Sequence, residues 1–182
     1  MVIKILSSGN IDPEKWNHTV LTGRGGTLFA FYEYLQQMTP AWSGLIIGDY
    51  TAVLPLIYKS KLGIRYICTI PFVKQLGLIG NLPETAVRPG GCNNLFHDIF
   101  KAIHAFARYG DIGFSHQNNL LFPVPCDREQ TIEGGTISPV TNYEIDLNIG
   151  YDGLLSRYHL QVKKRLARNK KEGLLKISQV AA

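Results

Sequence analysis

The sequence predicts an α+β fold in which helices pack on a central, mostly antiparallel sheet. Apolar residues make up 45% of the 182 residues and charged residues 18%, a balance typical of a chain that forms a hydrophobic core. Segments with helical spacing of apolar residues are interleaved with short apolar runs typical of strands, without a strict βαβ repeat. A meander of strands near the front favours antiparallel pairing. We therefore expect a single layered domain over residues 1–182.

Helix signals are clearest at three places. Asp12 followed by Pro13 supplies an N-cap and a first helical residue, and this helix is expected to end near Leu21. Thr27 is expected to cap a second helix that Pro40 stops. A third helix should begin near Asn93, and its apolar face is formed by Leu95, Ile99, Ile103 and Phe106.

Short apolar runs predict the strands. Residues 43–58 contain two such runs joined at Gly48–Asp49, the pattern of a β-hairpin. Further strands are expected at residues 62–70, 75–79, 111–115, 143–149 and 174–179.

Cysteine and histidine spacing predicts no metal site. The chain has three cysteines, Cys68, Cys92 and Cys126, which are widely spaced and odd in number, so we expect reduced thiols in a cytoplasmic protein. His97 and His104 are seven residues apart, whereas a helical metal pair needs a separation of three or four. The apolar runs are shorter than the roughly 18–20 residues of a membrane span, and the first residues lack the apolar region of a signal peptide.

Positive charge is concentrated in residues 153–182, which hold eight Lys and Arg and one acidic residue, a net charge of +7. A basic helix is expected over about residues 153–172, with a buried seam at Leu155, Tyr158, Val162 and Leu166. Four cations share a stripe about 60° wide on this helix, and Lys163 and Lys170 form a second pair seven residues apart; the four are Arg157, Lys164, Arg168 and Lys171. Such a stripe indicates a polyanionic ligand, either a phosphate-rich small molecule or tRNA, or alternatively a solvated or partner-docking face.

This basic segment also carries a resemblance. Residues 151–171 are similar to the helix that ends the first GNAT-like half of Fem-type peptidoglycan aminoacyltransferases, in which the pattern is roughly Tyr-Ser-x-Asn-x-Arg-Arg-Asn-Ile-Lys-Lys. The residues that match in type are Tyr158, Lys163, Lys164, Leu166 and Arg168. The chain departs from the pattern at His159, Gln161 and Arg165.

The resemblance implies a GNAT-like acyl-CoA N-acyltransferase fold. It further implies transfer of an acyl or aminoacyl group to an amine, with acyl-CoA or aminoacyl-tRNA as donor and no metal. Because Fem-type proteins pair two GNAT-like halves, the chain is expected to be one half, with a second half or a homodimer partner completing it. The pyrophosphate loop of a GNAT enzyme has the form Arg/Gln-x-x-Gly-x-Gly/Ala, and the corresponding positions here are Arg88, Gly90, Gly91 and Asn93. A plain helix entry with an Asn cap is the alternative.

The catalytic base has one weak sequence candidate, His116, which follows Ser115 at the end of a predicted strand. Two other functions remain open at this level. The rival to acyl transfer is a non-catalytic binding module whose basic helix docks RNA or an acidic partner. The chain is also compatible with a pseudoenzyme that dimerises through its last predicted strand.

Overall fold

The structure is a computed structural model that describes residues 1–39, 41–71, 73, 75–82, 94–115, 118, 129–132, 135–140 and 146–172. The chain divides into two compact units, Met1–Pro139 and Val140–Ala182. The strands of the first unit are β1 (Ile3–Ser7), β2 (Trp42–Ile47), β3 (Ala52–Lys61), β4 (Ile64–Ile67), β5 (Ile79–Gly80), β6 (Tyr109–Gly110), β7 (Gln130–Ile132) and β8 (Gly135–Ile137). Its helices are α1 (Pro13–Thr22), α2 (Tyr32–Met38) and α3 (Asn94–Phe106).

The first unit is built on a mixed sheet with the strand order β1–β2–β3–β4–β6. The pairs β1–β2, β2–β3 and β3–β4 are antiparallel, whereas β4 and β6 are parallel. The long strand β3 pairs with β2 along residues 52–57, and on its other edge it pairs with β5 at residues 52–53 and with β4 at residues 58–61. Strands β7 and β8 form a separate hairpin. The predicted α+β class with a mostly antiparallel central sheet is confirmed.

Helices cover both faces of this sheet because the side chains of β3 alternate between two hydrophobic clusters. Val53 and Ile57 belong to the cluster that also contains Trp16 of α1, Leu35 of α2 and Trp42. The intervening residues Leu54 and Leu56 belong to the opposite cluster, which α3 covers with Ile99 and Ile103. The predicted apolar face of the third helix is thus confirmed.

Helix α1 follows from its local sequence. Asp12 Oδ1 accepts hydrogen bonds from the backbone N–H groups of Glu14 and Lys15, and Pro13 occupies the first helical position. The Lys15 ammonium bonds the Asp49 carboxylate at 2.8 Å, which ties α1 to the turn between β2 and β3. This hydrogen bond, followed by the attraction between the two charges, raises the pKa of Lys15.

Several sequence predictions need correction in this unit. The second helix is interrupted: a 3-10 turn covers Leu28–Ala30, and α2 begins only at Tyr32 because Phe31 has extended backbone angles. Thr27 makes no side-chain capping bond, and its hydroxyl has no hydrogen-bond partner in the described structure. Only short pieces of the strands expected at 62–70 and 75–79 form, namely β4 and β5. The strand expected at 111–115 is instead β6, just before it.

The second unit, as far as it is described, consists of a 3-10 turn at Leu147–Ile149 and two helices, α4 (Gly150–Arg157) and α5 (Leu160–Glu172). The strand expected at 143–149 is wrong for residues 147–149, and residues 141–145 lie outside the described chain. The final strand expected at 174–179 lies outside it as well. The single-domain organisation, with one GNAT-like half over 1–182, stays a prediction.

Candidate functional site

The predicted basic helix is two helices. Tyr158 has extended backbone angles, φ −70° and ψ 142°, and ends α4. The chain restarts at His159, whose carbonyl accepts from Val162 N–H and whose ring Nδ1 accepts from Gln161 N–H at 3.4 Å. His159 therefore occupies the N-cap position of α5, and Arg157 belongs to the preceding helix. The prediction of a single stripe containing Arg157, Lys164, Arg168 and Lys171 is wrong, because helical periodicity does not continue through a residue with extended backbone angles.

The break also changes which residues are shielded from water. The seam of Leu155, Tyr158, Val162 and Leu166 is predicted to be buried, yet neither α4 nor α5 contains a buried residue. Val162 is 43% exposed, and Leu155, Tyr158 and Leu166 are only half-buried. In α5 the half-buried positions are instead Lys163, Leu166 and Asn169.

Two of the predicted ligand-binding cations are already engaged within this unit. Lys163 Nζ donates to the Ser156 carbonyl at 2.9 Å, so its charge lies at the C-terminus of α4, where a helix favours a cation. Arg168 Nε donates to Glu172 Oε1 at 2.8 Å in an exposed pair four residues apart. Lys164 and Lys171 are exposed and form no ion pair with any described residue. They lie within about 20° of each other on the wheel, and we call them the α5 cation pair.

A second candidate site lies in the sheet of the first unit, where β4 and β6 separate. These parallel strands are paired through only two positions, Tyr66↔Tyr109 and Ile67↔Gly110. Beyond them Cys68 N–H still bonds the Ile57 carbonyl of β3, whereas Gly113 accepts from Leu76 N–H. The two segments thus take different partners, and a small pocket of about 20 Å³ lies between them. We call it the sheet cleft; its lining includes Ile57, Ile67, Thr69, Val73, Leu76 and Asp111.

Two residues explain why the sheet opens here. Pro55 lines the cleft on the edge of β3 between the positions that pair with β5 and with β4. A proline has no N–H to offer a neighbouring strand, so it is tolerated where no strand pairs. Gly110 allows β6 to approach β4, since its φ is +150° and a Cβ there would lie 2.5 Å from the Ile67 carbonyl oxygen.

The far wall of the cleft is held by a buried asparagine. Asn118 is 5% exposed, and its Nδ2 donates to the Leu78 carbonyl at 2.7 Å. Its Oδ1 accepts from the Ser115 hydroxyl at 3.3 Å. The side chain thereby joins the segment after the cleft residue Leu76 to the segment that follows Gly113. A buried amide with both ends bonded fixes this geometry more firmly than apolar contact alone.

The cleft offers an apolar channel with a few polar groups at its edge. Ile57 and Val73 are buried, and Pro55 and Leu76 extend the apolar wall. The lining residues with polar side chains are Thr69, Cys68 and Asp111; Cys68 is half-buried, and Thr69 and Asp111 are exposed. The lining is thus mainly apolar, and the space inside it holds about one water molecule. Among the described residues, no group of three His, Cys, Asp or Glu side chains is placed to hold a metal ion.

The other residues predicted for the site lie outside the described chain. They are the base candidate His116 and the loop residues Arg88, Gly90, Gly91 and Asn93. Sequence reasoning does not single out Thr69 and Asp111 as site residues. The only local signal for their position is Pro55 within an apolar run, which indicates a gap in strand pairing.

Comparison with known proteins adds no assignment: no protein-family model, curated protein or solved structure matches this chain. Within the ranges that the structure describes, no helix combines the length and apolarity needed to cross a membrane.

Proposed function

We propose that this protein is a GNAT-fold acyltransferase of the Fem-related kind, which transfers an acyl or aminoacyl group from a thioester or aminoacyl-tRNA to an amine. The observation that carries the proposal is the sheet cleft, a solvent-open pocket between two parallel strands that part after Ile67 and Gly110. The fold implied by the resemblance holds its donor where the sheet splays apart. Ligands of open sheets also favour the carboxyl ends of parallel strands.

The cleft is narrow in this structure. It encloses about 20 Å³ beside Ile57, Val73 and Leu76, room for about one water molecule, so a thioester arm or an aminoacyl side chain requires the cleft to widen on binding. The phosphates of the donor therefore need cations elsewhere. By resemblance, the loop at residues 88–93 would serve this purpose.

The chemistry requires a proton acceptor beside the acyl carbon. The amine nitrogen attacks the carbonyl carbon, the tetrahedral intermediate collapses, and the bond from carbon to the donor sulfur or ribose oxygen breaks. One proton must leave the amine, and the departing thiolate or alkoxide accepts a proton. We assign the proton acceptor to Asp111, because it is the acidic residue among those that line the cleft.

A ligand-dependent thermal shift tests the proposal. Acetyl-CoA and longer acyl-CoA thioesters should raise the melting temperature, because a ligand at 100 times its Kd stabilises the folded state by about 2.7 kcal/mol. Thr69→Trp should abolish the shift by filling the cleft from its exposed rim. Thr131→Trp is the matched control, since Thr131 is also an exposed threonine of the first unit and does not line the cleft. The proposal fails if no thioester or aminoacyl-tRNA shifts the parent protein, or if Thr69→Trp responds as the control does.

A binding module without catalysis is the second candidate, and the α5 cation pair favours it. Lys164 and Lys171 are exposed and lack a carboxylate partner in the described part of the chain, which leaves their charge available to phosphates. RNA binding that weakens steeply with salt in the absence of any thioester effect would support this candidate. Salt-independent binding, or none, would exclude it.

A further inference from the structure

The hairpin formed by β3 and β4 projects beyond the rest of its sheet. The pairing of β2 with β3 ends at Trp42↔Ile57, and from Lys59 to Lys61 the described partner of β3 is β4 alone. All seven residues from Lys59 to Arg65 are exposed. We call residues 59–65 the hairpin tip; it is a two-stranded ribbon, and on one side residues 63–65 form an open groove with residues 104–106 and 108 at the end of α3.

The apex of the hairpin tip carries a leucine where folding gains nothing from one. Leu62 has φ +54° and Gly63 has φ +78°, the two positive values of a type I′ turn. Asn, Asp or Gly usually fill such positions, because a Cβ in this region is unfavourable. Leu62 is also 93% exposed, and Ile64 beside it is 48% exposed. Leu62 therefore strains the backbone and also exposes an apolar side chain to water, which points to a role outside the folded core.

Cations surround this apolar apex. Lys59, Lys61 and Arg65 flank it, and no acidic residue occurs between Asp49 and Glu84. Lys59 and Lys61 pair across the ribbon with Tyr66 and Ile64, whereas Arg65 pairs with Ser60, so the cations lie on both faces. An approach along the ribbon axis presents Leu62 at the apex with cations on both faces behind it.

Arg65 is held in place by aromatic rings. Its guanidinium carbon lies 5.1 Å from the centroid of Phe106 and 5.6 Å from that of Tyr58. Its carbonyl accepts from Arg108 N–H at 3.2 Å, so the base of the ribbon is fixed to the end of α3. This anchoring orients the charge before any partner arrives.

We propose that the hairpin tip docks tip-first on an anionic membrane surface. Leu62 and Ile64 enter the interface between headgroups and acyl chains, while the three cations bind lipid phosphates and carboxylates. RNA fits the tip less well, since its phosphates give an exposed leucine no apolar environment and residues 59–65 contain no aromatic ring on which a base could stack. The inference is independent of acyl transfer in the sheet cleft.

Co-sedimentation with lipid vesicles tests the inference on the full chain. Vesicles of 70% phosphatidylcholine and 30% phosphatidylserine should bind the protein, and pure phosphatidylcholine vesicles should bind it far less. The double variant Lys59→Gln/Lys61→Gln should lose about fivefold in affinity for each charge removed. Leu62→Asn should lose about tenfold, because most of the apolar contact disappears.

The Leu62→Asn variant distinguishes a loss of membrane docking from a loss of stability. Asparagine tolerates the positive φ better than leucine, so Leu62→Asn should melt at the same or a higher temperature while binding weakens. Leu21→Asn is the matched control, since Leu21 is a 74% exposed leucine of α1 and its loss should leave vesicle binding unchanged. The inference is overturned by vesicle binding without anionic lipid, or by full affinity in Leu62→Asn. It is also overturned if RNA, and not vesicles, binds through Lys59 and Lys61.

Discussion

Replacing Gly110 with alanine tests the parallel strand pair on which the sheet cleft depends. The φ of +150° lies in a region that is essentially restricted to glycine, and a side chain there costs about 1–3 kcal/mol. The new Cβ would also lie 2.5 Å from the Ile67 carbonyl oxygen, a backbone atom that cannot rotate away. Overpacking of this kind adds about 1–3 kcal/mol. We therefore expect Gly110→Ala to lower the free energy of unfolding by at least about 2 kcal/mol.

Two other glycines separate these contributions. Gly63 has a positive φ of +78°, and no atom lies within 4 Å of the place that a Cβ would take, so Gly63→Ala should measure backbone strain alone, about 1 kcal/mol. Gly9 has neither a positive φ nor a close neighbour, and Gly9→Ala should be nearly neutral. Urea unfolding followed by fluorescence of the buried Trp16 and Trp42 reports on this unit. The reasoning is refuted if Gly110→Ala is no more destabilising than Gly63→Ala.

Three further predictions concern the core, the surface ion pair and the basic helix. Trp16→Ala should cost about 3–5 kcal/mol, since the buried ring also donates to a backbone carbonyl at 2.8 Å; urea unfolding checks this. Because Asp49 raises the pKa of Lys15 above 10.5, the pair stabilises the fold below that pH and the contribution is lost as the pH rises through the raised pKa. Lys15→Met should therefore be less stable than the parent protein at pH 8 and lose that difference in strong alkali. Lys164→Gln/Lys171→Gln should lower the salt slope of any RNA binding by about 1.4, as measured by titration at several salt concentrations.

Local signals in the sequence predict the elements whose boundaries are decided locally. The Asp12–Pro13 pair indicates the start of α1, and the observed end at Thr22 is one residue beyond the expected Leu21. The apolar spacing of α3 indicates its buried face, because Ile99 and Ile103 are both buried. A cap bond or a helical face depends on residues a few positions apart, so the sequence suffices.

Elements that depend on distant partners are not predictable in the same way. The pairing of β4 with β6 joins residues more than 40 positions apart, and nothing near Ile67 indicates that Gly110 will lie against it. The break at Tyr158 carries neither glycine nor proline, so helical spacing runs through it without a signal to stop. The positive φ of Leu62 is unpredictable for a different reason, because leucine is among the residues least expected in that backbone conformation.

The candidate site is predicted only in part. Charge density points correctly to exposed cations on α5, but the contacts of Lys163 with Ser156 and of Arg168 with Glu172 depend on where the helices begin and end. The sheet cleft is not predicted from the sequence. Its lining residues Thr69 and Asp111 come together through strand pairing and carry no motif of their own.

Hydrogen exchange with and without acyl-CoA tests the central claim most directly. The Cys68 and Leu76 amides bond the Ile57 and Gly113 carbonyls at the two sides of the cleft, so a bound thioester should slow exchange in both segments. Peptides that cover β1, which does not line the cleft, should exchange at the same rate in both samples. The account predicts protection concentrated at residues 67–76 and 110–113. Unchanged exchange there at saturating acyl-CoA and aminoacyl-tRNA would contradict it.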